Sequence, residues 1–401
     1  MRRLLRWTGT GLIFLTVALC LATVLVPPFL DRIYYRGPTT SNFDGERFFN
    51  PGEPDDAGPP GGGSRTAFLL NRVTGNDNRA TWPDIVPIVP ARPPARVAGD
   101  RMLVTWVGHA TVLVQTAGLN ILTDPVWSDR VGPLGGGPRR VAAPGIRFED
   151  LPPIDLVLVS HNHYDHLDLG TLKRLWARDR PLVVTSLGNE AVIGEAGVPA
   201  VALDWGGGIQ RLSTCAAAET CPTIDVAVTR NHHWGSRWFA DRNRALWSSF
   251  AVRLPAGNIF FAGDTGPGDL RWPAEAAALG PIRLALIPIG AFRFAPGQMS
   301  TSNHIGPGDA ALVFQGLGTG FAVPIHWGTF QLSDEGWDTP PRLLRQVLDC
   351  TGIARDGRFP TVPIGRTVAV PPLVRPVLAL PRAEPVTVER CLATPAAQAL
   401  R

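Results

Sequence analysis

The chain has 401 residues, of which 45% are hydrophobic and 18% charged, and its formal net charge at pH 7 is +4. This composition is typical of a globular protein and excludes a largely disordered chain. The small net charge and the lack of a basic run interleaved with aromatic residues argue against nucleic-acid binding, so we predict no nucleic-acid partner.

The N-terminus carries an apolar segment long enough to cross a membrane. No residue from Trp7 to Val26 is charged, and about twenty helical residues span the hydrocarbon core of a bilayer. Pro27 and Pro28 are expected to end the helix. We favour an uncleaved anchor over a signal peptide, because the apolar core is long and the best cleavage site, after Ala22, is poor. Arginines precede the segment, which predicts a single-pass protein of a bacterial inner membrane with a periplasmic catalytic domain.

Cysteine usage agrees with export to an oxidising compartment. The four cysteines beyond Cys20 are Cys215, Cys221, Cys350 and Cys391. An even number permits disulfides, and Cys215 and Cys221 bracket a short loop that a disulfide could close. Four unpaired thiols are the alternative, since spacing alone does not prove a bridge.

The composition along the chain predicts four segments. Residues 51–64 are rich in proline and glycine and predict a loop or linker. The last thirty residues, from Pro371, predict an irregular proline-rich tail. We therefore divide the chain into a membrane anchor or signal peptide, an N-terminal extension and linker, a main domain and a tail, at residues 1–33, 34–100, 101–370 and 371–401.

Short apolar runs alternate with helical patterns through the main domain, which predicts an α/β fold. The run 156–159 is apolar at every position, which is typical of a strand buried on both faces. Helical spacing follows at 169–176, and again at 307–315 and 341–349. The other predicted strands are 102–107, 111–115, 120–123, 183–185, 226–229, 258–262, 284–288 and 321–325.

The segment that follows the buried strand carries the strongest chemical signal. Residues 160–166 read Ser-His-Asn-His-Tyr-Asp-His, and a loop at a strand end can turn several side chains toward one point. Imidazole and carboxylate ligands suit zinc or iron(II). Four ligands this close exceed what one ion with an open position needs, so we predict two metals that share a water. The candidate ligands in this loop are His161, His163, Asp165 and His166.

Further ligands are expected at later strand ends. Asp264 follows the run that ends at Ala262, and His326 follows the run that ends at Ile325. His232 and His233 are adjacent, so only one of them can face the metals if the segment is extended. The residues themselves do not decide between the two.

These motifs, in this order, resemble the metallo-β-lactamase superfamily. More closely, they are similar to the N-acyl-phosphatidylethanolamine phospholipase D family and its membrane-anchored bacterial relatives. The similarity covers roughly residues 34–365 and includes Leu-Thr-Asp-Pro, His-Trp, Phe-Ala-Gly-Asp-Thr-Gly and Ile-His-Trp-Gly-Thr-Phe. The resembling segments are 34–37, 43–51, 122–125, 151–168, 233–234, 243–247, 260–266, 287–291 and 325–330.

The resemblance implies a four-layer αβ/βα sandwich with the metals at one edge, preceded by a single transmembrane helix. It implies two zinc ions, with iron or manganese as alternatives. His161, His163 and His233 would hold one ion. Asp165, His166 and His326 would hold the other, and Asp264 would bridge them. His233 is chosen over His232 because the family's ligand directly precedes a tryptophan.

Other residues of the resemblance have two interpretations each. His304 is a candidate proton donor or phosphate ligand, or a structural loop histidine. Asp124 is a candidate partner that orients a ligand histidine, or a turn residue before a proline. His109 is not predicted as a ligand. Arg139 and Arg140 could attract an anionic substrate, although arginine pairs on loops are usually solvated.

The reaction expected from the resemblance is phosphodiester hydrolysis of phospholipase D type, on N-acyl-phosphatidylethanolamine or a related amphiphile. Asp165, His304 and Asp124 are the candidate catalytic residues beside the metals. Hydrolysis of a lactone, amide or β-lactam on the same site is the alternative, and a non-enzymatic scaffold is a third.

The loop 292–300 differs from that of the mammalian lipase. Expected partners are a lipid or small-molecule substrate and the membrane; a dimer is possible.

Overall fold

The computed structural model describes residues 2–52, 63–213, 223–238, 240–354, 356–374 and 383–400. Thirteen strands are present in these ranges, numbered in chain order. They are β1 (Met102–Gly108), β2 (Thr111–Thr116), β3 (Leu119–Thr123), β4 (Leu156–Val159), β5 (Leu182–Ser186), β6 (Val201–Leu203), β7 (Gln210–Ser213), β8 (Thr223–Thr229), β9 (Ser249–Arg253), β10 (Asn258–Phe261), β11 (Ile282–Pro288), β12 (Phe321–Ile325) and β13 (Thr367–Ala369).

Nine α-helices lie in the same described ranges. They are α1 (Arg2–Leu30), α2 (Arg65–Thr74), α3 (Leu169–Asp179), α4 (Asn189–Gly194), α5 (Trp272–Ala277), α6 (Pro307–Leu317), α7 (Thr339–Thr351), α8 (Pro385–Leu392) and α9 (Pro395–Gln398).

The strands form two mixed sheets. The first has the order β13-β1-β2-β3-β4-β5-β6, and the second has the order β12-β11-β10-β9-β8-β7. Strands β3 to β6 run parallel to one another, as do β10, β11 and β12. The carboxyl ends of parallel neighbours meet at one edge of each sheet, so the loops that follow them are brought together.

Three apolar layers separate the sheets from each other and from the helices. One cluster joins the facing sides of the two sheets, one lies between the first sheet and α3 and α4, and one lies between the second sheet and α5 to α8. This is the αβ/βα sandwich that the resemblance implied, and the predicted fold class is confirmed. Strand β4 shows the reason for its unbroken apolar run: Leu156 and Leu158 face the other sheet, whereas Val157 and Val159 face the helices.

Helix α1 contains the predicted membrane span. The segment Trp7–Val26 has a mean hydropathy of 2.3, and none of it is buried against the rest of the protein. The expectation that Pro27 and Pro28 end the helix is wrong, because α1 continues to Leu30. Each proline leaves the carbonyl four residues before it without its helical hydrogen bond, and the helix continues for only two residues after Pro28.

The chain that leaves α1 is fixed to the domain at once. The carboxylate of Asp31 accepts hydrogen bonds from Arg47 at 2.9 Å and from both Arg244 Nε and Nη2, at 2.8 and 2.7 Å. The Tyr34 hydroxyl donates to Asp241 at 2.7 Å. Residues 31–50 therefore form part of the folded body rather than a linker, while most of the predicted linker at 51–64 lies outside the described residues.

The C-terminal segment differs from the expected irregular tail. Its residues 383–400 form α8 and α9, and α8 contains the buried side chains of Val388 and Cys391. Cys391 forms a disulfide with Cys350 at the end of α7. Proline content misled the prediction, because the prolines of this segment occupy first-turn positions, where a missing N–H costs no hydrogen bond. Cys215 and Cys221 lie outside the described residues.

The disulfide generates a first prediction. We expect Cys391→Ser to lower the free energy of unfolding by about 2–4 kcal/mol, because the bridge closes a loop of 41 residues in the unfolded chain. Denaturant unfolding of the full chain measures this. Cys20→Ser is the matched control, since Cys20 is an exposed free thiol. An unchanged unfolding midpoint in Cys391→Ser would contradict the prediction.

Candidate metal centre

Loops from both sheets converge at one edge of the sandwich. The loop 160–166 follows β4 of the first sheet. His233 follows β8, Asp264 follows β10 and His326 follows β12, all of the second sheet. The sequence-predicted ligands therefore meet from two sheets, and most of them are excluded from solvent: His161, His166, His233, Asp264 and His326 are each exposed by 2% or less.

Three histidines form the first group of ligand atoms. His161 Nε2 lies 2.7 Å from His163 Nδ1, and His233 Nε2 lies 3.4 Å from the same His163 atom. Ligand atoms of these three residues are all within 4.8 Å of one another. His232 points elsewhere, with Nδ1 3.1 Å from the carbonyl of Ser302. The structure thus brings His233 to this group rather than His232.

The second group surrounds the Asp165 carboxylate. Asp165 Oδ2 lies 3.4 Å from His166 Nε2 and 3.7 Å from His326 Nε2. His109 Nε2 also reaches this oxygen, at 2.8 Å. His109 was not predicted as a ligand, and its hydrogen bond to Asp165 is consistent with a residue that holds the carboxylate in place. A histidine directly after the first strand was the only sequence signal for it.

Asp264 lies between the two groups. Its Oδ2 atom is 3.6 Å from His233 Nε2 in the first group. The same atom is 3.7 Å from His166 Nε2 and 3.2 Å from His326 Nε2 in the second. One carboxylate oxygen is therefore within reach of both groups, which is the position of a bridging ligand.

Asp124 and Ser160 hold the Nδ1 atoms of His161 and His166 by hydrogen bonds. Asp124 Oδ2 lies 2.6 Å from His166 Nδ1 and accepts from the Ser160 hydroxyl at 2.6 Å. That hydroxyl lies 2.9 Å from His161 Nδ1, so Asp124 orients two rings. Sequence reasoning suggested Asp124 in this role and missed Ser160.

Backbone carbonyls orient the other two histidines. His233 Nδ1 donates to the carbonyl of Asn303 at 2.8 Å, and His326 Nδ1 donates to that of Gly290 at 3.2 Å. A ring that donates through Nδ1 presents Nε2 as the free lone pair. The Nε2 atoms of His161, His166, His233 and His326 are thus aimed at the centre.

The electrostatics divide the histidines into two sets. Burial holds the pKa of His161 and His233 well below the usual value and lowers that of His163 to about 3, so these rings are neutral and able to bind a metal. Burial also opposes charge on His326, but the carboxylates of Asp264 and Asp165 outweigh it and raise its pKa to about 9. Negative charge that favours a proton on His326 equally favours a metal cation.

Backbone conformation at the centre is unusual. His109, Asp124 and His326 all have positive φ, at 53°, 30° and 63°. Each such residue costs about 1–3 kcal/mol, and strain of this kind clusters at functional sites. Gly263 also has a positive φ of 65°, and a β-carbon there would lie 2.7 Å from the Ser160 side chain. The Asp264 loop can therefore approach the 160–166 loop this closely only with glycine at position 263.

The donor atoms fit a metal ion. Buried His166 Nε2 and His326 Nε2 have no hydrogen-bond partner among the described residues. Their distances to the Asp165 and Asp264 oxygens are 3.2–3.7 Å. Ligand atoms of a tetrahedral zinc with bonds of 2.0–2.1 Å are separated by about 3.3 Å. The spacing therefore suits a shared cation better than direct hydrogen bonds, which are shorter.

Three other predicted residues have clear positions. His304 lies beside the centre, with Nδ1 3.2 Å from Asp264 Oδ1. Arg139 is exposed and pairs with Asp129. Arg140 is neither solvated nor available to a substrate, because it is buried and donates to the carbonyl of Val126 at 2.8 Å. The expectation of a solvated arginine pair is therefore wrong for Arg140.

Sequence reasoning also missed Arg237. Its guanidinium donates to the carbonyls of Asn162 and Leu167 at 2.9 and 3.0 Å, and it stacks on the ring of Tyr164 at 3.9 Å. Arg237 therefore closes the 160–166 loop from outside. A lone arginine four residues after His233 carries no pattern that could have revealed this.

The hydrogen bonds from Asp124 and Ser160 to the ligand histidines lead to a prediction about metal affinity. We expect Asp124→Asn to weaken zinc binding by about 10–100-fold, since it removes the charge that orients His166 and, through Ser160, His161. Competition with a chromogenic chelator measures the affinity. Asp129→Asn, at the exposed surface ion pair, is the matched control. Equal zinc affinity of Asp124→Asn and the unaltered chain would show that Asp124 is only a turn residue.

Comparison with known proteins agrees with this geometry. The sequence model of the beta-lactamase superfamily domain matches residues 119–327. The chain is 35% identical over 273 residues to N-acyl-phosphatidylethanolamine-hydrolyzing phospholipase D 1 of Caenorhabditis elegans, covering 66% of this chain and 74% of that protein. It is 31% identical to the mitochondrial N-acyl-phosphatidylethanolamine-hydrolyzing phospholipase D of Saccharomyces cerevisiae, covering 62% of this chain and 52% of that one.

A solved structure shares the fold. A possible metal-dependent hydrolase from Veillonella parvula superposes with a TM-score of 0.50 at 14% identity, covering 68% of this chain and 99% of that one. The superfamily match spans the loop 160–166 and ends one residue after His326, so it contains all seven predicted ligands. The chain belongs to the metallo-β-lactamase superfamily and to its metal-dependent hydrolases.

Proposed function

We propose that this protein is a binuclear zinc phosphodiesterase of phospholipase D type that acts on N-acyl-phosphatidylethanolamine or a related membrane amphiphile. The observation that carries the proposal is the position of Asp264 Oδ2, within 3.2–3.7 Å of ring nitrogens from both ligand groups. Two adjacent divalent ions require a ligand that both can share. Asp264 provides such a ligand, because one of its oxygens lies between two sets of imidazoles that are either neutral or paired with a carboxylate.

The residues that would hold the ions follow from the two groups. His161, His163 and His233 would bind one, and Asp165, His166 and His326 the other, with Asp264 common to both. Bound together, the two ions would supply a Lewis acid for a phosphoryl oxygen and would acidify a water molecule. Zinc suits this set of nitrogen and carboxylate donors, and iron or manganese is the alternative.

The chain's own contribution to the chemistry centres on His304. Its ring is 7% exposed and lies 5.1 Å from the His233 ring and 5.7 Å from the His326 ring, so it faces both groups. In the proposed reaction a water oxygen bonds to phosphorus and the bond from phosphorus to the alcohol oxygen breaks. His304 would donate the proton that the leaving alkoxide needs. Phosphatidic acid and an N-acylethanolamine would be the products.

The attack on phosphorus rather than carbon is supported by two observations. An imidazole beside the ligand groups can assist a phosphodiesterase and is not needed by a lactonase, and His304 Nδ1 lies 3.2 Å from Asp264 Oδ1. The relatives from Caenorhabditis elegans and Saccharomyces cerevisiae are both N-acyl-phosphatidylethanolamine-hydrolyzing phospholipases D. The predicted arginine pair offers no such support, since Arg140 is buried in the structure.

A membrane substrate is supported by the surface beside the centre. Helix α2 has no buried residue and exposes the side chains of Leu69, Leu70 and Val73. The residue before its start, Ser64, packs on the loop 292–300: a β-carbon at Gly297 would lie 2.6 Å from the carbonyl oxygen of Ser64. In that loop Phe294 contacts the His304 ring, with centroids 5.0 Å apart. An exposed apolar helix that packs on the loop carrying Phe294 suits an acyl chain or a bilayer surface.

The anchor would hold this surface at the bilayer. The span ends at Val26, and Asp31 is already paired with Arg244 of the domain. We place the domain on the periplasmic side of a bacterial inner membrane, because arginines precede the span. No nucleic acid takes part in this proposal, and a dimer is compatible with it.

Removal of the shared carboxylate tests the two-metal proposal. Asp264→Ala is expected to reduce bound zinc from about two ions per chain to one or none. Turnover of bis(p-nitrophenyl) phosphate should fall about 10³-fold, because the two ions supply several kcal/mol of transition-state stabilisation. Elemental analysis and absorbance of p-nitrophenolate measure the two quantities. Asp269→Asn, in a surface ion pair with Arg230, is the control.

Two results would count against the proposal. Full zinc content in Asp264→Ala would remove the bridging role. Turnover of a lactone by the unaltered zinc-loaded chain, without turnover of either phosphodiester, would replace the proposed reaction with carboxylic-bond hydrolysis.

The proton-donor role of His304 predicts a leaving-group effect. His304→Gln should reduce kcat for N-acyl-phosphatidylethanolamine by about 10²-fold or more, because an alkoxide leaving group needs protonation. Turnover of bis(p-nitrophenyl) phosphate should change far less, because p-nitrophenolate is a stable anion. Zinc content should stay the same. His232→Gln is the matched control, since His232 is buried nearby but outside both ligand groups. Equal losses on both substrates would assign His304 to phosphate binding instead.

A further inference from the structure

A cavity lies beside the metal centre, between β1, α7 and the turn before β13. Its volume is about 590 Å³, which is in the range of small-molecule sites. It is lined by parts of β1, the start of α7, the turn before β13 and residues 86–89 of the N-terminal extension. It contains none of the seven predicted metal ligands, although Trp327, which follows His326, forms part of its wall.

The interior of this cavity is mainly apolar. Three tryptophans line it, and each indole N–H is already used: Trp106 donates to the carbonyl of His109 at 2.9 Å, Trp327 to Pro324 at 3.3 Å and Trp337 to Gly328 at 2.9 Å. A ligand therefore meets the carbon faces and edges of these rings. Val362 and Ile364 extend the apolar lining. Such a surface binds an alkyl chain rather than a polar molecule.

Positive charge surrounds the mouth. Arg342 and Arg345 lie three residues apart on α7, and Arg366 lies on the turn across the cavity. Arg342 pairs with Asp338, which is the one acidic residue of the lining. Arg345 and Arg366 are exposed and form no ion pair with any residue in the described ranges. The mouth thus has two guanidinium groups available to an anion.

We infer that this cavity binds a long-chain fatty-acid carboxylate. The chain would lie against the three indoles, and the carboxylate would be held at the mouth by Arg345 and Arg366. A neutral lipid would leave both guanidinium groups unused, and a cationic amphiphile would be repelled. The inference goes beyond the proposed reaction and does not depend on it, since no metal ligand contributes to the cavity.

Photolabelling of the full chain tests the inference. The protein is placed in phosphatidylcholine nanodiscs and labelled with a fatty acid that carries a diazirine on its alkyl chain. We expect labelled peptides from 85–89, 337–345 and 361–366, and we expect dodecanoate to suppress the labelling. Dodecanol and dodecyltrimethylammonium should not suppress it. The same pattern is expected after a chelator has removed bound metal, which separates this result from the fate of the proposed function.

Variants identify the groups responsible. The double variant Arg345→Glu/Arg366→Glu should weaken labelling about tenfold, the sum of two exposed ionic contacts. Arg101→Glu/Arg253→Glu makes the same change in charge at two exposed positions outside the cavity and should leave labelling unchanged. Ile364→Trp should weaken labelling by narrowing the cavity, while the unfolding midpoint shows that the fold is intact.

Three outcomes would overturn the inference. Labelling confined to the metal centre or the membrane span would place the ligand elsewhere. Equal competition by dodecanol would remove the requirement for an anion. Stronger competition by dodecyl phosphate than by dodecanoate would replace the carboxylate with a phosphate headgroup.

Discussion

Charged and ionisable groups are buried together at one edge of the sandwich, and the surrounding structure must supply a partner for each of them. The carboxylate of Asp264 and the rings of His161, His166, His233 and His326 are almost excluded from solvent, and the Asp165 side chain is only 14% exposed. Buried charges without partners cost several kcal/mol each, so such a cluster persists only where every group is paired or binds a cation. Asp264 Oδ2 meets three ring nitrogens within 3.7 Å, and that contact joins loops from the two sheets.

The two sheets supply the rigidity that this arrangement needs. The loops after β4, β10 and β12 leave strands buried at every position, so the backbone from which they start is fixed by apolar packing on both sides. That packing also supports three strained residues, His109, Asp124 and His326, whose positive φ would not persist in a loosely held loop. The backbone of His326 is tied to the carbonyl of His109 at 3.0 Å, which connects the strained positions.

The segment after the candidate membrane span is connected to the same centre. Tyr34 donates to Asp241, which accepts from the backbone N–H of Arg237 at 3.0 Å. Arg237 in turn holds the carbonyls of Asn162 and Leu167 on the ligand loop. A continuous series of buried contacts thus runs from the end of α1 to the candidate metal centre.

The sequence by itself determined the features that depend on local pattern. The unbroken apolar run of β4, the uncharged span Trp7–Val26 and the order of the strand-end histidines follow from side-chain periodicity and spacing. The tertiary structure decided what depends on partners distant in the chain. His109 meets Asp165 across 56 positions, and Arg237 meets Asn162 across 75. The buried state of Arg140 and the disulfide that ties α8 to α7 are of the same kind. Hydrogen bonds and packing between remote segments leave no periodic trace in the sequence, because each depends on how distant parts of the chain come together in the fold.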